Sequence, residues 1–181
     1  MKGMVFTELL EMAENALGEE AMDQILAALN LESDAAYTAV GNYPCKELMQ
    51  IVGAVSDYSG ASVEELQRQF GAWMLRRFSQ GYPDFFSSKS NVLDMLDSIE
   101  NEVHVEVRKL YPDAELPQFE TRRPDERSLE MTYKSSRPLV SFCRGLIEEC
   151  VTHFGHAADV IVDDQSENNA GQAVFLVRMA A

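Results

Sequence analysis

The chain has 181 residues, of which 46% are hydrophobic, and a formal net charge of −15 at pH 7. This length and apolar content are enough to bury a core, either as one domain or as two small lobes that share a core. The thirty Asp and Glu residues outnumber the fifteen Lys and Arg residues, which argues against binding to nucleic acid or to anionic lipid. A protein partner with a basic patch fits this charge better.

The N-terminal segment and the cysteines indicate the cellular compartment of the protein. The opening stretch carries Glu8 and Glu11 inside its apolar pattern, unlike a signal peptide, and no segment approaches the ~20 apolar residues of a membrane span. Cys45, Cys143 and Cys150 are odd in number and lack CxxC spacing, so they indicate neither a disulfide framework nor a thiolate zinc site. We therefore expect a soluble cytoplasmic protein.

The spacing of apolar residues predicts an α+β fold, with helices first and strands later. Helices are predicted over about residues 3–17, 19–30, 45–58 and 63–79, with a cap near Ser62, followed by a helical turn around Phe85 and Phe86 and a long helix from about Val92 to Tyr111 that Pro112 ends. A period of two then predicts four antiparallel strands, in the segments LPQFETR, RSLEMTYKS, AADVIVDD and QAVFLVRM. Between the two strand pairs, a helix is predicted with Pro138 in its first turn and its end near Phe154.

The segment YKSSR places polar groups at alternate positions as the second predicted strand ends. Tyr133, Ser135 and Arg137 would share one face, because side chains two residues apart in a strand point the same way. A phenol, a hydroxyl and a guanidinium on one face offer hydrogen-bond donors to an anion. The alternative is a half-solvated strand face with no ligand.

His104 lies at the edge of the apolar stripe of the long predicted helix. Such a histidine is by itself more typical of a hydrogen-bonded core or boundary residue than of a metal ligand. Together with the YKSSR donors it meets the needs of a haem site, which are an axial nitrogen for the iron and partners for two propionates.

The segment VHVEVRKLYPDAELPQF, followed about thirty residues after His104 by YKSSR, resembles the haem nitric oxide/oxygen binding (H-NOX) family in its stand-alone bacterial form. The opening MKGMVFTELLEM is also similar to the start of that family, and the resemblance covers essentially the whole chain. It implies a single domain over residues 1–181, in which a helical distal lobe, about 1–62, packs on a proximal α+β lobe, about 63–181, with haem between them.

The resemblance also implies roles for particular residues. His104 would be the proximal ligand of haem b, and Tyr133, Ser135 and Arg137 would hold its propionates. Pro117 would press on the porphyrin and distort it, although a proline that begins a strand would stand at the same place.

The resemblance further implies which gas is bound. Oxygen-binding members have a tyrosine five residues after the motif arginine, and this chain has Phe142 there. A missing donor of ~1–3 kcal/mol lowers oxygen affinity by about tenfold to a hundredfold or more. The chain would thus sense NO on ferrous five-coordinate haem, would also bind CO, and would exclude oxygen, although the apolar residues could equally be ordinary core. The other implied distal-pocket residues are Val5, Leu9, Met74, Phe78 and Leu146.

In such a sensor, NO would break the bond from the iron to His104, and a separate protein would read the change. The family's usual partners are a sensor histidine kinase of a two-component system, or a cyclic-di-GMP synthase or phosphodiesterase. We expect no intrinsic enzyme activity, because no nucleophile, base and oxyanion donors stand together and no phosphate-binding loop is present.

Three alternatives remain open at this point. One is a haem-based oxygen or redox sensor with a donor from another residue. A second is a haem-free protein-interaction adaptor, in which His104 and the YKSSR residues are structural. The third is a small metallohydrolase built on His153, His156 and Asp159.

Overall fold

The computed structural model describes residues 1–167 and 170–180 of the chain. Residues 168, 169 and 181, which belong to the predicted domain, lie outside the described part. The backbone forms two units, Met1–Phe70 and Gly71–Ala181, which are described in turn. None of the helices in the described ranges is both long and apolar enough to cross a lipid bilayer.

The first unit is helical, as the sequence predicts. It contains α1 (Gly3–Leu17), α2 (Glu19–Ala27), α3 (Cys45–Ser59) and the start of α4 (Val63–Gly81). The Ser62 hydroxyl accepts a hydrogen bond from the backbone N–H of Glu65 at 3.2 Å, which confirms the predicted cap. Helix α2 ends three residues before the predicted limit, because the N–H groups of Ala28 and Leu29 bond carbonyls only three residues back and tighten the last turn.

A buried carboxylate fastens the long loop of the first unit to α3. Glu47 is 2% exposed, and it accepts hydrogen bonds from the Ser33 N–H at 3.1 Å, the Ser33 hydroxyl at 2.6 Å and the Tyr37 hydroxyl at 2.6 Å. Burial alone would raise the pKa of Glu47, but these hydrogen bonds outweigh burial and lower it below 4.5. The Tyr37 ring stacks on Phe6 with centroids 4.5 Å apart, so Tyr37 also packs against a core residue.

The second unit begins within α4 and continues with short helices. These are α5 (Pro83–Ser87), α6 (Val92–Asp97), a π-helical segment (Ile99–Val103) and α7 (His104–Leu110). The prediction of one continuous helix from Val92 to Tyr111 is therefore wrong. The N–H of His104 bonds the carbonyl of Ile99, five residues back, and the residue inserted by this π turn rotates the helix that follows. Leu110, which the periodicity placed on the apolar stripe, is consequently 61% exposed.

Four strands form the sheet of the second unit. They are β1 (Gln118–Asp125), β2 (Ser128–Ser135), β3 (Ala158–Asp164) and β4 (Gly171–Met179), in the order β1-β2-β4-β3 with every neighbouring pair antiparallel. The predicted α+β fold with a four-stranded antiparallel sheet is confirmed. Helix α8 (Val140–His153) separates the two strand pairs. It begins after Leu139, so Pro138 precedes the helix instead of lying in its first turn, because Leu139 is not helical and its N–H bonds the Arg137 carbonyl.

One face of the two central strands builds the core of the second unit. Helix α6 packs on β2, and α8 packs on β3 and β4, so apolar side chains of helix and sheet meet. Paired positions of β2 and β4 are almost completely buried, and they include Leu129, Met131, Tyr133, Ala173, Phe175 and Val177. Tyr133 of the YKSSR segment is thus part of the core.

Helices α4 and α8 approach closely within the second unit at Gly71. A Cβ atom built there would lie 2.1 Å from the carbonyl oxygen of Phe142 and 2.8 Å from the backbone nitrogen of Leu146. Both are backbone atoms, which cannot move aside without shifting α8. Five residues further along α4, Arg76 pairs with Glu149 of α8 at 2.9 Å.

The variant Gly71→Ala should lose stability although alanine favours helices. We expect the free energy of unfolding to fall by about 1–3 kcal/mol, because the new methyl group meets backbone atoms. Gly53→Ala in α3 is the matched control, since a Cβ there meets no atom within 4 Å, and it should gain about 0.5–1 kcal/mol. Urea unfolding followed by circular dichroism measures both, and a Gly71→Ala variant as stable as the wild type would contradict the close contact.

Candidate functional site

His104 is the first residue of α7 and is 8% exposed. Its Nδ1 atom lies 3.0 Å from Glu100 Oε2, and its ring centroid lies 5.7 Å from that of Phe119. Burial lowers the pKa of His104 below 6.5, although Glu100 opposes this shift, so the imidazole is neutral at pH 7. A neutral ring that donates from Nδ1 keeps its lone pair on Nε2, and none of the described residues hydrogen-bonds Nε2. This state of the ring is the one that binds a metal ion.

Glu100 is a part of the site that the sequence reasoning missed. Its Oε2 atom also accepts from the backbone N–H of Phe119 at 3.2 Å, and its Oε1 atom accepts from Arg108 Nη2 at 2.9 Å. Burial would raise the pKa of Glu100, but the hydrogen bonds from Arg108, His104 and Phe119 outweigh burial and lower it. The available signal was a carboxylate four residues before a candidate histidine ligand, since such histidines commonly donate their other N–H to a carboxylate.

The YKSSR residues lie at the end of β2. Tyr133 is 2% exposed, Ser135 is the last residue of the strand, and the Ser135 hydroxyl accepts from the Arg137 N–H at 3.1 Å. A Cβ on Gly171, which pairs with Ser135, would lie 2.6 Å from the Arg137 carbonyl oxygen and 2.9 Å from the Tyr133 ring. The strand ends at Ser135 and Arg137 lies in the turn before Pro138, so strand alternation does not extend to Arg137. That all three side chains share one face stays a prediction.

The guanidinium of Arg137 binds a carboxylate in this structure. Its Nη2 atom donates to Glu115 Oε2 at 2.6 Å, and its Nη1 atom donates to the Glu115 carbonyl oxygen at 2.7 Å. The Arg137 side chain is 14% exposed, whereas that of Glu115 is 75% exposed. Arg137 thus suits a carboxylate such as a haem propionate, which would compete with Glu115. No sequence signal pointed to Glu115, because nothing in its spacing connects it to Arg137.

Pro117 lies half-buried one residue before β1. That place follows the loop that carries Glu115 and precedes Phe119, the residue whose ring faces His104. The position agrees with a strand-initiating proline. Its role toward a porphyrin stays a prediction.

The predicted distal residues belong to three helices and carry no polar side-chain atoms. Val5 and Leu9 lie in α1 of the first unit, and Leu9 is 3% exposed. In the second unit, α4 and α8 adjoin at Gly71, so the α8 turn with Phe142 and Leu146 lies near α4. The α4 residues are Met74, which is 2% exposed, and Phe78, which is half-buried.

The described residues offer no support for the metallohydrolase alternative. His153 and Asp159 are exposed, and the His153 ring packs on Phe86 with centroids 4.8 Å apart. The Nδ1 atom of His156 is buried and has no hydrogen-bond partner in the described ranges. Within residues 1–167 and 170–180, no group of three His, Cys, Asp or Glu side chains is placed to hold a metal ion.

Two of the three cysteines are packing residues of α8. Cys143 and Cys150 are buried, and burial raises the pKa of both thiols, for Cys150 to about 12. A thiol that stays protonated at neutral pH is a poor nucleophile and a poor metal ligand.

Comparison with known proteins identifies the family. The model of the Haem-NO-binding family matches residues 2–162. The Fe(II) unliganded H-NOX protein from K. algicida is 35% identical, with 100% of this chain and 97% of that chain covered and a TM-score of 0.93. The IWP-051-bound H-NOX from Shewanella woodyi in the Fe(II)CO state is also 35% identical, with 99% and 95% covered and a TM-score of 0.83.

A curated relative extends the comparison to a larger protein. Soluble guanylate cyclase 89Db of Drosophila melanogaster is 26% identical over 139 residues, which are 76% of this chain. The chain spans only 20% of the length of that cyclase. The family match, the two structures and this relative agree, and the chain therefore belongs to the Haem-NO-binding family, the H-NOX haem gas-binding domains related to soluble guanylate cyclase.

Proposed function

We propose that this chain is a haem-based NO sensor whose iron ligand is Nε2 of His104. The observation that carries the proposal is the burial and the hydrogen bonding of that imidazole. It is buried, it donates from Nδ1 to Glu100 at 3.0 Å, and no described residue hydrogen-bonds Nε2. A neutral imidazole that is held at Nδ1 by a carboxylate presents on Nε2 the lone pair that an iron ligand needs.

The other residues of the site hold and shape the cofactor. Haem b would supply a ferrous iron that binds NO and CO. Arg137 would take a propionate in charge-assisted hydrogen bonds, and the Tyr133 and Ser135 hydroxyls would add neutral ones. Pro117, just before β1, would press on the porphyrin. This assignment is supported by the carboxylate that Arg137 already holds from Glu115.

The proposed selectivity for NO over oxygen rests on the absence of hydrogen-bond donors among the predicted distal side chains. Phe142, Leu146, Met74 and Phe78 have no hydrogen-bond donor, and Val5 and Leu9 of α1 have none either. Tight oxygen binding depends on a donor near the outer oxygen atom, whereas NO binds tightly without one. A pocket lined by the α4 and α8 side chains would therefore favour NO.

His104 would also carry the signal. Its release from the iron on NO binding would free α7, which begins at His104 and follows the π-helical segment. The altered surface would be read by a separate regulatory protein, a sensor histidine kinase or a cyclic-di-GMP synthase or phosphodiesterase, and the domain itself would catalyse no reaction. The net charge of −15 favours a partner with a basic contact surface.

Absorption spectra of the ferrous protein under argon, CO, NO and air test the function, with His104→Gly as the matched variant. We expect an intense Soret band, spectral shifts with CO and NO, and no reversible oxygen binding in air. His104→Gly should lose the histidine-ligated ferrous spectrum, and added imidazole should restore it. Reversible oxygen binding would favour an oxygen sensor, and a protein that takes up no haem would favour the adaptor.

Loss of the guanidinium should weaken haem retention most. We expect Arg137→Gln to raise the haem dissociation constant by about tenfold. This is the lower end of the about 1.5–3 kcal/mol that a charge-assisted hydrogen bond contributes, because the propionate must displace Glu115 from Arg137. Tyr133→Phe and Ser135→Ala should raise the haem dissociation constant by a smaller factor. Transfer of haem to an acceptor protein gives the dissociation rates. Arg122→Gln is the charge-matched control, since Arg122 is 68% exposed and pairs with Glu130, and an equal loss in both variants would argue against Arg137 as a propionate partner.

Addition of a hydroxyl group to the Phe142 ring should allow the ferrous protein to bind oxygen. Phe142→Tyr should raise oxygen affinity by about tenfold to a hundredfold, because the phenol supplies the missing donor. Phe142→Leu, which removes the ring without adding a donor, should bind no more oxygen than the wild type. Oxygen titrations of the ferrous proteins measure the effect. A tyrosine variant that binds oxygen no better would exclude Phe142 as a residue of the gas pocket.

A further inference from the structure

Glu100 has more hydrogen-bond partners than its neighbouring glutamates. Its side chain is 27% exposed, whereas those of Glu102 and Glu106 are 52% and 47% exposed and each pairs with a single lysine. Its two oxygens together accept from an imidazole, a guanidinium and the backbone N–H of Phe119. The carboxylate therefore has a fixed position, set by groups from both α7 and β1.

Two more carboxylates fix the segment that leads to Glu100. Asp94 and Asp97 precede it at three-residue intervals, and both face β1. Asp94 pairs with Arg123 at 2.7 Å, and Asp97 accepts from Thr121 at 2.5 Å and from Arg123 at 3.4 Å. Phe119, Thr121 and Arg123 are spaced two residues apart on β1. Glu100, Asp97 and Asp94 therefore contact the strand at three successive alternate positions. Glu100 is the last of them, next to His104.

One oxygen atom of Glu100 links the imidazole to the sheet. Oε2 accepts from His104 Nδ1 at 3.0 Å and from the Phe119 N–H at 3.2 Å. The ring can satisfy this contact only when Nδ1 carries the proton, so Nε2 is left as the acceptor. The position of Nε2 is thereby tied to the backbone of β1.

We infer that Glu100 is a positioning residue that holds His104 in the Nδ1–H tautomer, aims Nε2 at the haem iron, and strengthens the ligand bond that NO must break. This inference rests on the proposed function. A carboxylate partner raises the basicity of a ligating histidine more than a neutral acceptor does. The contact from Arg108 at 2.9 Å moderates this effect by taking part of the charge. Glu100 would thus set how readily the sensor responds.

The haem-free protein tests the tautomer by itself. Nitrogen-15 chemical shifts of the His104 ring should show a protonated Nδ1 in the wild type and in Glu106→Gln, the matched control with the same charge change on the outer side of α7. Glu100→Ala, which removes the acceptor, should give a mixture of tautomers. An unchanged tautomer in a folded Glu100→Ala protein would overturn the positioning role.

The haem-loaded protein tests the strength of the ligand bond. Resonance Raman spectra should give an iron–histidine stretching frequency that is equal in the wild type and Glu106→Gln, lower in Glu100→Gln and lowest in Glu100→Ala. Haem affinity should fall by about tenfold to a hundredfold in Glu100→Ala, and NO should release the histidine in a larger fraction of each Glu100 variant. Equal frequencies in all four proteins would overturn this inference and leave the proposed function standing. A wild-type protein without an iron–histidine band would overturn both.

Discussion

The hydrogen bond between His104 Nδ1 and Glu100 Oε2 is the contact on which the site depends. It fixes the ring orientation and the tautomer, and it joins α7, the π-helical segment and β1 at one carboxylate. Burial keeps the imidazole neutral, and the carboxylate remains ionised because three donors surround it. Without this contact, the same histidine would be one more boundary residue on a helix.

The proposed propionate clamp, which consists of Tyr133, Ser135 and Arg137, is built differently, from groups that have partners within the protein. Tyr133 is core, the Ser135 hydroxyl bonds its own turn, and Arg137 holds Glu115. A site of this kind does not leave a buried cation unpaired, which would cost several kcal/mol. An incoming propionate exchanges one carboxylate for another, so the net gain from the exchange is smaller than the strength of a single ion pair suggests.

Most of the fold could be predicted from the sequence, because it depends on local signals. The roles of His104 and the YKSSR residues rest on the resemblance to the family and stay predictions. Apolar periodicity gave the helices and strands, and the YKSSR pattern pointed to an anion. The features that were missed depend on contacts between distant residues. The π turn before His104 leaves no trace in the spacing of apolar residues, and the exposed face of Leu110 follows from it. Glu115 meets Arg137 across twenty-two residues of chain, which no pattern in either segment indicates.

Gly171, which lies on β4, is a further requirement of the proposed clamp on β2. It is paired with Ser135, and any side chain there would collide with the Arg137 carbonyl and the Tyr133 ring. The five residues that define the motif are therefore insufficient by themselves, since they also need a residue without a side chain at the paired position of β4. A chain that has the tyrosine, serine and arginine but a bulky residue opposite them would be a poor candidate for cofactor binding, however well its motif matched.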